Sequence, residues 1–182
     1  MSKVLALPPV TLVLGGAASG KSRYAESLVE RAASARVYLA TAEARDAEMV
    51  ERIRRHRARR GSTWRTVEAP LELVPALRGQ AAPGAAVLVD CLTLWLSNLM
   101  GAGRDADKEA DALLAALADL HGPVVFVSNE VGLGIVPDNA LARRFRDTAG
   151  RLHAALAAAA QAVAFMAAGL PLHLKTPAIP GS

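Results

Sequence analysis

The chain has 182 residues and one cysteine, Cys91, so no disulfide can form within it. A lone thiol suits a reducing compartment, and a cytoplasmic location is expected. Aromatic residues make up only 4% of the sequence. Proteins that hold single-stranded nucleic acid stack bases on aromatic rings, so nucleic acid is not an expected partner. Long apolar runs are missing too. The stretch Leu152–Gly169 is alanine-rich and interrupted by His153 and Gln161, a poor match to a membrane span. The opening MSKVLALPPVTLVLGG contains Pro8 and Pro9 and lacks a basic leading region, which argues against a secretory signal.

What is present reads as a globular protein. Hydrophobic residues are 52%, charged residues 21%, and the formal net charge is +4. The length fits a single domain over residues 1–182. Strand-length apolar runs recur at Val10–Leu14, Arg36–Thr41, Ala86–Asp90, Val124–Ser128, Ala162–Ala167 and Leu170–Leu174. Their hydrophobicity is continuous rather than alternating, as in strands covered on both faces. Helical patterns lie between them, at Lys21–Ser34, Ala47–Arg60, Leu71–Arg78, Asp105–Leu120 and Asn139–Ala160. This alternation predicts an α/β fold with a mostly parallel sheet flanked by helices. The last two runs, separated by Ala168-Gly169, predict an antiparallel hairpin at the C-terminal edge.

Between the first strand and the first helix stands Gly15-Gly16-Ala17-Ala18-Ser19-Gly20-Lys21-Ser22. It fits G-x-x-x-x-G-K-[ST] in the required strand-to-helix setting, which predicts a P-loop NTPase of RecA-like type. Small residues let successive amides turn inward around phosphate oxygens, and the helix start adds its positive dipole end. Lys21 is expected to reach the β and γ phosphates, and the Ser22 hydroxyl to sit on Mg²⁺. Such a site needs a second metal-side group. Asp90, at the end of the apolar strand AVLVD, fits that role.

The segment AEMVERIRRHRARRGSTWRTVE carries six arginines between Arg52 and Arg60. On a helix Met49, Ile53 and His56 share one face, while most of the arginines point elsewhere. Two readings of His56 stay open on residue types alone. It is a histidine at the edge of the core, or it is a nucleophile whose pKa is held down by neighbouring guanidinium groups. Further on, FVSNEVGLGIVPDNALARRFRDTAGRLH opens a loop with Asn129-Glu130 at the carboxyl end of a strand, where α/β sheets bind ligands.

Taken together, several segments resemble one family. They are the P-loop with its SRYAE extension, YLATAEARDAEMVERIRRHRARR, W-x-T-x-E at Trp64–Glu68, VLVDCLTLWLSNLM and SNEVGLGIVPDNALARRFRDTAGRL. From about Leu12 to Lys175 the chain is similar to the bifunctional adenosylcobinamide kinase / adenosylcobinamide-phosphate guanylyltransferases of cobalamin biosynthesis. The resemblance implies two reactions. ATP or GTP phosphorylates the terminal hydroxyl of adenosylcobinamide. GMP then passes from GTP, through a guanylyl-histidine, to give adenosylcobinamide-GDP.

The resemblance implies His56 as the nucleophile; some relatives have two adjacent histidines where this chain has Arg55-His56. It also implies a nucleotide site lined by Gly15–Ser22, Thr41, Ala42, Glu43, Arg57, Arg59, Arg60, Glu68 and Asp90. Lys21 acts with His56 in catalysis, Mg²⁺ sits on Ser22 and Asp90, and Glu68 is a candidate acceptor for guanine N1–H and N2–H₂. Asn129 and Glu130 are candidate corrinoid contacts, and a homotrimer is the implied assembly. One departure is visible. Ala18 stands where the family commonly has arginine, which predicts retained nucleotide binding and slower turnover of one of the two activities. Three rival readings make separable predictions. A plain small-molecule kinase has no need of His56, a nucleic-acid-stimulated ATPase binds its polymer with steep salt dependence, and a nucleotide-gated switch transfers nothing.

Overall fold

The computed structural model describes residues 7–44 and 46–177. Side chains of Glu48, Arg52 and Arg59 are likewise outside the described set. One seven-stranded sheet organises everything, in the order β3-β2-β4-β5-β1-β6-β7. The strands are β1 Val10–Gly15, β2 Ala35–Ala40, β3 Trp64–Glu68, β4 Ala85–Asp90, β5 Val124–Asn129, β6 Ala162–Ala167 and β7 Leu170–Lys175. All pairings are parallel except β6 with β7, the antiparallel hairpin expected at the edge.

The central strands are apolar throughout because both faces are covered. β1 is buried at all six positions. On one face, α1 (Lys21–Ala32) packs Ala25 and Val29 against Val13, Leu88, Val125 and Val127. On the other face, a larger core gathers Leu12, Val87, Val89 and Phe126 with four helices. These are α3 (Leu73–Gln80), α4 (Leu92–Gly101), α5 (Ala106–Ala116) and α6 (Ala140–Ala159). Trp95 of α4 is fully buried there, and its indole N–H donates to the Leu71 carbonyl at 3.0 Å. The remaining helix, α2 (Ala47–Arg60), is capped by Asp46, whose carboxylate accepts from the Met49 amide at 2.7 Å.

Two elements depart from the sequence expectation. β3 is an edge strand with only Trp64 buried, so its pattern lacks the apolar run that marks the inner strands. α4 follows Asp90-Cys91 directly, so its apolar LTLWLSNLM merges in the sequence with the strand before it. The run Leu152–Gly169 divides between the buried face of α6 and β6. Gln161 lies between the two; its side-chain oxygen accepts from the Val10 amide at 2.9 Å, tying that junction to the start of β1.

Candidate active site

The sheet order decides what meets what. β5 lies between β1 and β4, so the carboxyl ends of three parallel strands open side by side. Gly15 pairs in register with Asn129, and Asp90 ends the next strand over. This is the crevice where α/β sheets bind ligands. A cleft of about 630 Å³ sits there. It is lined by the loop from Ala17 to Ser22, by Met49, Ile53, His56, Arg57 and Arg60 of α2, by Glu68 and Asp90, and by Asn129 and Glu130.

The phosphate loop takes the form its residues require. Gly15 is at φ +154°, and a Cβ there would lie 2.6 Å from the Met166 carbonyl oxygen, so no larger residue fits. Gly20 adopts the left-handed conformation at φ 91° and starts α1 with no side-chain cap. The first-turn amides of α1 are therefore not covered by a neighbouring hydroxyl or carboxylate, which suits an anion. Ala18 also sits at positive φ, 53°. The ammonium of buried Lys21 folds back to donate to the Gly16 carbonyl, with Ser19 Oγ at 3.5 Å.

Asp90 Oδ2 accepts two hydrogen bonds, one from Ser22 Oγ and one from the Tyr38 hydroxyl, each at 2.9 Å. The parallel register explains the second. Ala40 pairs with Asp90 and Tyr38 with Leu88, so Tyr38 and Asp90 are diagonal neighbours on one face of the sheet. Burial, with the Asp90 charge adding to it, pushes the Tyr38 phenol well above its ordinary value, while Arg60 pulls the other way. The phenol therefore stays protonated and donates. Above the Tyr38 ring lies the Arg60 guanidinium, its central carbon 3.4 Å from the ring centre.

The donor set suits Mg²⁺. A serine hydroxyl and one carboxylate are hard oxygen ligands, and among the described residues no group of three His, Cys, Asp or Glu side chains could hold a metal alone. Mg²⁺ commonly takes few protein ligands and completes its shell with water and phosphate oxygens.

The other residues named from the sequence fall in several places. His56 is half-buried and faces the cleft from α2, beside Met49 and Ile53. Arg57 Nη2 donates to Glu68 Oε1 at 3.0 Å, both groups being exposed. Ala42 lines the cleft, and Glu43 is half-buried in the connection before α2. Thr41 lies behind the wall. Its hydroxyl is fully buried, donating to the Cys91 carbonyl at 2.8 Å and accepting from the Cys91 amide at 2.7 Å. Arg59 belongs to the undescribed side chains. Asn129 donates to Thr93 Oγ1 at 2.9 Å, and the Glu130 amide donates to the Gly15 carbonyl at 3.0 Å. Tyr38 is the residue that sequence reasoning passed over. It sits inside an apolar strand, and only the β2–β4 register brings it to Asp90.

Residues 11–174 match the model of the family described as cobinamide kinase / cobinamide phosphate guanyltransferase. The chain belongs to that family. It is 52% identical over 166 residues to the bifunctional adenosylcobalamin biosynthesis protein CobP of Pseudomonas aeruginosa, covering 90% of this chain and 96% of that one. It is 41% identical over 179 residues to the bifunctional adenosylcobalamin biosynthesis protein CobU of Salmonella typhimurium, covering 90% and 98%. Among solved structures it is similar to the flagellar accessory protein FlaH of Methanocaldococcus jannaschii. There the TM-score is 0.54 at 12% identity, over 97% of this chain and 83% of that one. A prototypical ATPase from the type III secretion system of pathogenic bacteria gives 0.53 at 11% identity, over 92% and 57%. These two likenesses establish the P-loop NTPase fold alone. As a member of the cobinamide kinase / guanyltransferase family, the chain is a kinase and nucleotidyltransferase of cobalamin biosynthesis. No helix among the described residues is long and apolar enough to cross a membrane.

Proposed function

We propose that the single cleft performs both reactions, and that the second passes through a guanylyl group on His56. One observation carries this reading: the P-loop, Asp90 and His56 line the same cavity. In the first reaction, the terminal hydroxyl of adenosylcobinamide attacks the γ-phosphorus of ATP or GTP. A new P–O bond forms and the nucleoside diphosphate leaves. The P-loop amides and Lys21 hold the phosphates, and Asn129 and Glu130 lie where the acceptor approaches. Mg²⁺ would be held by Ser22 and Asp90 and would neutralise phosphate charge when bound.

In the second reaction, the P-loop holds the β and γ phosphates of GTP while α2 presents His56 to the α-phosphorus. A neutral imidazole nitrogen forms an N–P bond and pyrophosphate leaves. A phosphate oxygen of adenosylcobinamide phosphate then attacks the same phosphorus. The N–P bond breaks, adenosylcobinamide-GDP departs, and His56 is restored. Arg57 lines the cleft and supplies positive charge toward the phosphates, while Arg60 acts from its seat on the Tyr38 ring. Glu68, at the cleft wall, accepts guanine N1–H and N2–H₂, a pair of donors that adenine lacks. A trimer and a corrinoid site partly on the surface fit the same reading.

The test uses GTP labelled at the α-phosphate, with Mg²⁺, followed by denaturation. Protein-bound label that is acid-labile, stable to alkali and absent from His56→Ala is the expected result. α-Labelled ATP should label far less. Protein that binds GTP yet takes no label would leave a kinase without a covalent intermediate, and His56 would be a residue of the cleft wall.

A further inference from the structure

Arg60 ends α2 one turn after His56, and it is the only buried residue among the described side chains of that helix. Met49, Ile53 and His56 are half-buried over the cleft, and Val50, Arg54, Arg55 and Arg57 are exposed. Arg60 is thus where α2 is fastened to the body of the protein. Its guanidinium rests on the Tyr38 ring at 3.4 Å, with Nη1 3.6 Å from Glu26 Oε1 of α1. A cation over an aromatic face is held more strongly when water is excluded, and here the side chains of Arg60 and Glu26 are only 3% and 7% exposed.

The ring that receives Arg60 is itself fixed. It meets Trp64 edge to face at 6.4 Å, and the Trp64 indole N–H donates to Glu30 Oε1 at 3.3 Å. At its far end the same side chain donates its hydroxyl to Asp90 Oδ2, the oxygen that Ser22 also approaches. One tyrosine therefore touches the metal-side carboxylate with its hydroxyl and the anchor of the histidine helix with its ring.

We propose that Tyr38 is a positioning residue that registers the two halves of the site against each other. Its hydroxyl fixes the rotamer of Asp90 beside Ser22. Its ring seats Arg60 and so places His56 one turn earlier on α2; what that placement serves rests on the guanylyl-histidine reading. Both reactions need the carboxylate, but only GMP transfer needs the helix. The two ends of Tyr38 should therefore be separable by substitution.

Tyr38→Phe removes only the hydroxyl, and Tyr38→Leu removes the ring as well. In Tyr38→Phe the Mg²⁺ concentration giving half-maximal GTP binding should rise about tenfold, the weight of one hydrogen bond to a charged group. Amide exchange in the last turn of α2 should stay at the wild-type rate. In Tyr38→Leu the Mg²⁺ shift should persist, and exchange in that turn should speed roughly tenfold, as loss of a desolvated cation–π contact requires. Protein-bound GMP should then form at a rate depressed at least about tenfold more than γ-phosphoryl transfer. Wild-type Mg²⁺ dependence in Tyr38→Phe, or wild-type α2 exchange in Tyr38→Leu, would overturn the proposal. If binding and exchange move as expected while wild-type protein takes no GMP label, the histidine reading has failed and the role of Tyr38 stands.

Discussion

Glu68 shows how a single exposed carboxylate can matter to recognition and hardly at all to stability. Its pair with Arg57 at 3.0 Å is between groups 72% and 53% exposed, and water screens such pairs to a fraction of a kcal/mol. Its place on the cleft wall is what gives it a role. Glu68→Gln should leave thermal stability unchanged and lower the preference for GTP over ATP in protein labelling by about tenfold, the effect of one charged hydrogen bond. Competition between the two α-labelled nucleotides checks this. An unaltered preference would place guanine recognition on other groups. Ala18 can be examined in the same way, because its backbone already sits at positive φ on the rim of the loop. Ala18→Arg is expected to raise one of the two turnover rates while GTP affinity holds. If both rates stay put, the missing arginine has no part in turnover.

At the scale of elements, α2 differs from its neighbours. The other long helices bury apolar stripes against the sheet, whereas α2 lies over the cleft, capped at one end by Asp46 and fastened at the other by Arg60. Removing the cap with Asp46→Ala should weaken this helix locally by about 1 kcal/mol, seen as roughly fivefold faster amide exchange within it. The core elements should exchange as before, because few of the core contacts reach α2. The same contrast explains what could be read from the sequence. The inner strands announce themselves because burial on both faces forces unbroken apolar runs, and the P-loop does so because glycine and lysine have fixed duties there. β3 escaped because an edge strand needs to bury only Trp64. α4 escaped because no turn residue separates its apolar run from β4. The side of α2 that His56 occupies was legible from its spacing with Met49 and Ile53. Tyr38 was not, since its partnership with Asp90 exists only in the pairing of β2 with β4. Neither was the burial of Thr41, which nothing in its local sequence signals.

Across the whole molecule, stability rests on the core between the sheet and α3–α6. Trp95 is fully buried within it, and Trp95→Ala should cost about 3–5 kcal/mol in denaturant unfolding. That core also holds a titrating group. His153 of α6 is buried, with Nε2 2.7 Å from Ser128 Oγ, and burial lowers its pKa while the Glu130 charge opposes this weakly. In the folded protein the ring stays neutral at pH values where an unfolded chain protonates it. Stability from this group is complete above the ordinary histidine value of 6.5 and is lost as pH falls below it. The melting temperature should drop between about pH 7.5 and pH 5.5, and the drop should be smaller in His153→Gln. Equal drops would assign the acid sensitivity elsewhere.

The strand order has one more consequence, for the protein's life before it is complete. β1 is made early, yet both of its partners, β5 and β6, lie more than a hundred residues downstream. At the usual pace of about 5–20 residues per second, the ribosome needs roughly ten seconds to deliver them. Throughout that interval the strand that ends in the phosphate loop lacks both of the neighbours it has in the finished sheet. A nucleotide can assist the nascent chain only once β5 is made, because β5 is what joins the strand of the phosphate loop to the strand of Asp90.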